Sequence, residues 1–301
     1  SLLAVWQVGL LSWLERWQPE VLIADTNLRN LTTTTALNWM RARRRPVIGW
    51  GLGAPPVQGR LGDLFSPSRG DFLRRFDALV AYSSAGAGQF IAAGCPPEQV
   101  FIAPNAVTPR PAGPPPARPP EFRGGQPSVL FVGRLQPRKR VDALLRACAA
   151  LPPALQPRLT IVGDGPARSE FEALAREVYP SAEFPGARTG PDLDPYYAAA
   201  DLFVLPGTGG LAVQQAMASG LPVIVAEGDG TQSDLVRPSN GWLLPPGDEA
   251  ALTACLADAL SDPARLRRMG AASYSIVRDE VNVERMVEVF EEVIHQVVLG
   301  Y

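Results

Sequence analysis

Ten short apolar runs punctuate the chain, and between them lie stretches with helical spacing of apolar residues. The runs are Val21–Ala24, Val47–Trp50, Ala78–Ala81, Val100–Ala103, Val129–Val132, Leu159–Val162, one near Phe184, Leu202–Leu205, Val223–Val225 and Trp242–Leu244. Helical patterns fall through Leu37 and Met40, near Phe72 to Phe76 and around Gln89. Others follow at Val141–Leu151, Ala167–Val178, Leu211–Ser219, Asp248–Leu260, Pro263–Glu280 and Val283–Val298. Buried runs that alternate with helices predict parallel sheets covered on both faces, an α/β fold. Nine prolines and three glycines between Pro104 and Pro127 leave no room for a regular element there. At 301 residues the chain also exceeds the size at which one core stops growing. The expected organisation is a first Rossmann-like domain over 1–106, an extended Pro-rich linker over 107–127 and a second Rossmann-like domain over 128–281. A C-terminal helix over 282–301 is expected to cross back to the first domain. Ligands of such sheets meet the carboxyl ends of the strands, so a cleft between the domains is the expected site.

Composition removes several chemistries. A single histidine, His295, lies in a late amphipathic helix, which leaves no Ser-His-Asp triad and no His-rich metal centre. Cys95, Cys148 and Cys255 are odd in number and set among apolar neighbours, so they read as buried thiols in a reducing compartment. A net charge of −2 argues against a nucleic-acid partner. Ser1–Leu14 is too short for a membrane span and has no basic flank of a signal peptide. The spacing of Trp6, Leu10, Trp13, Leu14 and Trp17 predicts a core-facing amphipathic helix. Residues 1–110 hold eleven arginines and seven acids, and the rest is acidic overall. The run Arg41, Arg43, Arg44, Arg45 reads either as a helix C-terminus favoured by its dipole or as a contact with an anionic membrane.

Residues able to carry chemistry cluster after strands of the second domain. Gly133-Arg134-Leu135-Gln136-Pro137-Arg138-Lys139 puts two cations at a sheet's carboxyl edge, where a diphosphate would sit. Of 28 basic residues only Lys139 is a lysine, so its placement is unlike that of a solvating charge. Pro206 to Val223 spells a strand end, a glycine-rich turn (Gly207, Thr208, Gly209, Gly210), a helix from Leu211 and the next strand. Bare N–H groups at such a helix start suit phosphate oxygens. A third loop, Glu227 to Asp234, follows the next strand on the same edge.

These segments resemble those of the retaining GT-B glycosyltransferases of family 4, the glycosyl transferases group 1. The resemblance rests on Gly133 to Lys139, on Val162-Gly163-Asp164-Gly165-Pro166, on Pro206 to Val223, and on a junction at Pro104-Asn105-Ala106-Val107. It implies a GT-B architecture and a nucleoside-diphosphate sugar as donor substrate, with no resident cofactor and no metal. It also implies retention at the anomeric carbon, with Arg134 and Lys139 as the catalytic cations that neutralise the departing diphosphate. Gly133, Thr208, Gly209, Gly210, Leu211 and Gln215 fall at donor-binding positions, and Gly51 and Gly53 at acceptor-side ones. Cell-envelope polysaccharide or glycolipid synthesis is the implied setting, on a carbohydrate or lipid-linked acceptor. A cytoplasmic protein, with peripheral contact at the inner face of the membrane, is the corresponding expectation.

Departures from the family pattern matter as much. Its paired glutamates fall on Gly207 and Gln215; the first has no side chain, and the second can meet a ribose only without charge. Leu52 stands in Trp50-Gly51-Leu52-Gly53 where many relatives carry a histidine. The family's opening strands are not present before Ser1, so the first domain reads as lacking its beginning. Asp192-Leu193-Asp194, a manganese motif in other transferases, reads here as an N-cap of the helix that follows. Gly163 to Pro166 reads as a strand-to-helix turn near the nucleotide rather than a dinucleotide fingerprint. The readings left are a sugar transferase and a catalytically inactive nucleotide-sugar-binding or scaffold partner. A 2-epimerase would need acids and a histidine that the chain does not offer.

Overall fold

Apolar runs of four to five residues are long enough for one pass through a sheet, and their Val, Ile and Leu content suits strands buried on both faces. The computed structural model, which describes residues 5–54 and 69–300, forms two parallel sheets of this kind. The first four residues of the apolar opening stretch lie outside the described residues. Two compact units divide the chain, one of Ser1–Asn105 with Glu284–Tyr301 and one of Ala106–Val283.

The first unit contains α1 (Leu10–Trp17), β1 (Leu22–Asp25), α2 (Leu31–Arg41), β2 (Val47–Gly51), β3 (Ala78–Ala81), α3 (Ser84–Ala92) and β4 (Val100–Ile102). A helical turn at 69–73 precedes β3. Its strands run β1-β2-β3-β4, all parallel. Alternation along β2 sorts the core: Val47 packs with Leu37, Met40, Phe72 and Phe90, while Ile48 faces Val289, Val293 and Val297. Those three valines recur at i, i+4 and i+8 on the last helix, Val283–Leu299, so one stripe of it covers the sheet's second face.

Helix α1 departs from expectation. Leu14 is its buried residue, whereas Trp6, Trp13 and Trp17 are 60%, 47% and 63% exposed. Helical spacing marks a common face but cannot say how much of it finds a partner. Contact with α2 is made through Leu14 and a polar clasp. Glu15 accepts from Trp39 Nε1 at 2.7 Å and pairs with Arg43 at 3.0 Å, and Arg43 stacks 3.8 Å from the Trp39 ring centroid. The basic run is therefore largely committed to structure, since Arg45 also binds Gln18 and Pro19 and Arg41 the Arg75 carbonyl.

The second unit contains β5 (Ser128–Val132), α4 (Val141–Ala150), β6 (Arg158–Val162), α5 (Arg168–Val178), β7 (Glu183–Gly186), α6 (Asp194–Ala199), β8 (Leu202–Leu205), α7 (Leu211–Ala218), β9 (Val223–Ala226), α8 (Gln232–Leu235), β10 (Gly241–Leu244), α9 (Glu249–Leu260) and α10 (Pro263–Asp279). The last helix of the chain is α11 (Val283–Leu299). Strand order is β10-β9-β8-β5-β6-β7, all parallel. That order reverses direction between β5 and β8, the switch point at whose carboxyl edge such sheets hold ligands.

The Pro-rich segment belongs to the second unit and is extended apart from a 3₁₀ turn at Arg123–Gly125. Arg118 fastens it: the guanidinium donates to the carbonyls of Tyr197 and Ala200 at 2.8 Å each, and to those of Ser219 and Gly220 at 2.8 and 3.3 Å. Burial pushes Arg118 down to about 10, yet this leaves it charged at neutral pH. The N-capping read at Asp192 and Asp194 is corrected. The cap of α6 is Leu193 with no side-chain bond, and Asp194 is the first helical residue, where an acid favours the dipole. Cys95 and Cys148 are buried, but Cys255 is only half-buried; His295 is exposed. Removing the Arg118 side chain strands several buried carbonyls, so Arg118→Ala should lower unfolding stability by about 2–4 kcal/mol. Urea unfolding followed by far-UV circular dichroism measures this, and an unchanged midpoint would contradict the fastening role.

Candidate functional site

The loop leaving β5 and the loop leaving β8 are bound to each other by three hydrogen bonds. Thr208 N–H donates to the Arg138 carbonyl at 3.1 Å, Arg138 Nη1 donates to Thr208 Oγ1 at 2.9 Å, and Lys139 Nζ donates to the Thr208 carbonyl at 2.5 Å. Pro137–Lys139 forms a 3₁₀ turn, and Arg140 after it adopts a left-handed φ of 55° that admits α4. Burial pushes the Lys139 ammonium below the usual lysine range; the neighbouring Arg138 charge pushes the same way, and Asp229 opposes them. One ammonium proton goes to Thr208, leaving two for another acceptor. Arg134 is exposed and takes no hydrogen-bond or ion-pair partner among the described residues.

Gly207 explains the close approach. A Cβ there would sit on the Arg138 carbonyl oxygen and 2.6 Å from both Cα and C of Lys139. Gly209 has φ +139°, and a Cβ on it would collide with the Lys139 ammonium. The N–H groups of Gly209, Gly210 and Leu211 have no acceptor among the described residues. They form an uncapped start to α7, since Gly210 is its N-cap and offers no side chain. Such N–H groups carry the partial positive charge of the helix.

Behind the turn sits a side chain that motif reading did not single out. Gln232 is 1% exposed. Its Oε1 accepts from the N–H groups of Gly228 and Asp229 at 3.2 Å each. Its Nε2 donates to the Gly209 carbonyl and to Asp229 Oδ1, both at 3.0 Å. A flipped amide would face donors with donors, so the orientation is fixed by its partners. The signal available in the sequence was a polar residue just ahead of the apolar pair Leu235-Val236, on a loop aimed at the same edge. Arg138 was missed as well, although it lies inside the basic segment.

The remaining residues fall elsewhere. Gln215 accepts from Tyr197 Oη at 3.2 Å, and no bond joins it to Lys139 or Thr208. Gly133 follows β5, beside the Phe131 ring. Gly163 and Gly165 admit the 133–135 backbone, because Cβ atoms on them would meet the carbonyls of Gly133 and Leu135. In the first unit Gly51 lies against Thr26, and a Cβ on Gly53 would come within 2.7 Å of Gly86 Cα at the start of α3. Both glycines thus serve the packing of the β2 exit loop. No three His, Cys, Asp or Glu side chains cluster to hold a metal ion among the described residues. Adding a methyl at Gly207 overpacks the two loops, so Gly207→Ala should cost about 1–3 kcal/mol and Gly207→Glu should not be milder. Thermal unfolding of both variants tests this, and wild-type midpoints would refute the contact.

A family described as glycosyl transferases group 1 matches residues 126–262. A GDP-mannose-dependent alpha-mannosyltransferase of Mycobacterium tuberculosis is 45% identical over 130 residues, covering 41% of this chain and 32% of that protein. One of the same name from Mycolicibacterium smegmatis is 40% identical over 167 residues, covering 52% of this chain and 42% of that protein. The chain thus spans well under two thirds of these relatives. The crystal structure of Anabaena HepE in complex with UDP superposes with a TM-score of 0.76 at 18% identity, covering 95% of this chain and 81% of HepE. Residues 126–262 of the second unit are thus similar to the glycosyl transferases group 1 family, and the fold of the chain is GT-B.

Proposed function

We propose that the protein transfers a sugar, with retention and without a metal ion, from a nucleoside-diphosphate sugar to a carbohydrate or lipid-linked acceptor. The observation that carries this reading is the chain's only lysine, fixed by its bond to Thr208 at the switch point of the second sheet. Two ammonium protons of Lys139, the exposed Arg134 guanidinium and the N–H groups of Gly209 and Gly210 supply positive charge from two sides. Charge that develops on a departing diphosphate is stabilised best by donors already in place. Lys139 and Arg134 are the catalytic cations in this reading, and Gly133, Thr208, Gly209, Gly210 and Leu211 line the donor. Gln215 is kept for the ribose, where its Nε2 remains available while Tyr197 holds Oε1. No resident cofactor enters; the nucleotide sugar is a substrate.

Relatives that are GDP-mannose-dependent and a fold neighbour that holds UDP make GDP and UDP the first nucleotides to test. Cell-envelope glycolipid or polysaccharide synthesis on the cytoplasmic side is the proposed setting. No helix among the described residues is long and apolar enough to cross a membrane. Peripheral contact with an anionic bilayer is assigned to exposed Trp6, Trp13 and Trp17 together with Arg16, because three of the four clustered arginines are committed elsewhere. A second reading, an inactive nucleotide-sugar-binding partner, is favoured by one observation. Gly207 stands at a motif-glutamate position and has no space for a side chain.

A thermal-shift panel of UDP, GDP, ADP and dTDP tests the donor assignment, since ligand at a hundred times its Kd stabilises by about 2.7 kcal/mol. Lys139→Ala and Arg134→Ala should each weaken binding of the active nucleotide by about 1.5–3 kcal/mol, and unchanged affinity in both would sink it. Turnover of the matching nucleotide sugar separates transferase from inactive partner. For the membrane contact, Trp13→Ser with Trp17→Ser should reduce sedimentation with vesicles rich in anionic lipid; equal sedimentation would remove the aromatic face from the reading.

A further inference from the structure

We infer that Gln232 is a positioning residue of the donor site, acting by fixing the Gly209–Gly210 peptide that presents its N–H to the diphosphate. The inference rests on the assignment of that site to a nucleoside diphosphate. In a planar trans peptide the C=O and N–H point opposite ways. The carbonyl of Gly209 is held by Gln232 Nε2 at 3.0 Å, so the Gly210 N–H is turned to the far side, where it has no acceptor among the described residues. A glycine in this position has soft torsions and no side chain to lock them, so something outside the turn must set the direction. Gln232 does so from a rigid place: it is 1% exposed, and its Oε1 is pinned by two backbone N–H groups of the loop leaving β9. The same amide nitrogen holds Asp229 Oδ1, which also accepts from Thr231 N at 3.2 Å and Thr231 Oγ1 at 2.6 Å. One side chain thereby couples the loops leaving β8 and β9.

The chemistry of the amide makes the role separable from bulk packing. Gln232→Glu keeps an oxygen for Gly228 and Asp229 but turns the other against the Gly209 carbonyl and the Asp229 carboxylate. Burial and the Asp229 charge raise the pKa of such a glutamate. At pH 5.5, where such a glutamate is protonated, its single O–H can donate to the Gly209 carbonyl, though not also to Asp229 as the amide does; at pH 8 the ionised form has no donor. Gln232→Met keeps volume and loses every bond at both pH values.

Calorimetric titration of the full chain with GDP and with UDP, at both pH values and each referred to wild type at the same pH, tests this. Gln232→Met should bind about tenfold more weakly at both, a loss of about 1.4 kcal/mol. Gln232→Glu should bind about tenfold more weakly at pH 8 and within about twofold of wild type at pH 5.5. A merely structural role would lower the unfolding temperature without a pH-dependent affinity ratio in Gln232→Glu, and that result overturns the inference. So do two variants that bind as wild type does. Wild type that binds neither nucleotide instead overturns the donor-site reading, and the positioning role with it.

Discussion

The loops that leave β5 and β8 touch backbone to backbone, and the arrangement at the switch point follows from that contact. It exists because Gly207 has no Cβ: any larger residue would displace the Arg138–Lys139 peptide. With the peptide in place, Thr208 receives Arg138 on its hydroxyl and Lys139 on its carbonyl. The glycine turn is then held from one side by the β5 loop and from the other by Gln232. Little of this depends on apolar packing. It is a polar mesh laid over a sheet whose core residues are otherwise Val, Leu, Ile and Phe.

That mesh also accounts for the choice of cation. Lys139 lies against Gly209 closely enough that even a methyl there would collide with its ammonium. A planar guanidinium is wider and needs its donors aimed in fixed directions, so arginine would have to push the turn away. The outer position has no such confinement, since Arg134 is exposed and has no hydrogen-bond or ion-pair partner among the described residues. In the proposed donor site, a confined point charge and an exposed fork are complementary ways to meet one diphosphate.

How much was legible in the sequence differs by the kind of interaction. Strands stood out because a parallel sheet buried on both faces demands uninterrupted apolar runs, and all ten runs became strands within a residue or two. The glycine turn and the basic loop stood out because backbone approach and cations need particular residue types. Trp13 and Trp17 misled because periodicity reports a face and not its partner. The partners of the basic run after α2 were not legible, because nothing local reveals that Arg43 stacks on Trp39 and pairs with Glu15, 28 residues away. Gln232 was hidden for the same reason. Its four partners lie on two loops, and a glutamine among Thr, Ser and Asp has the composition of any surface turn.

The two missing glutamates look different once the geometry is known. Had the site merely decayed, substitutions would be expected to loosen it, since nothing would oppose a Cβ at Gly207 or an apolar residue at Gln232. Instead Gly207, Lys139, Thr208 and Gln232 depend on one another through specific atoms, and a change at any of them disturbs the rest. Buried polar groups that are fully paired are costly to arrange and lose much when one member goes. A buried amide with all four of its bonds made lies directly behind a turn whose N–H groups have no acceptor among the described residues, and the proposed donor site accounts for that pairing. Gly207 closes the seam between two loops, and in the proposed donor site it leaves the contacts to a bound sugar to backbone N–H groups and to Thr208.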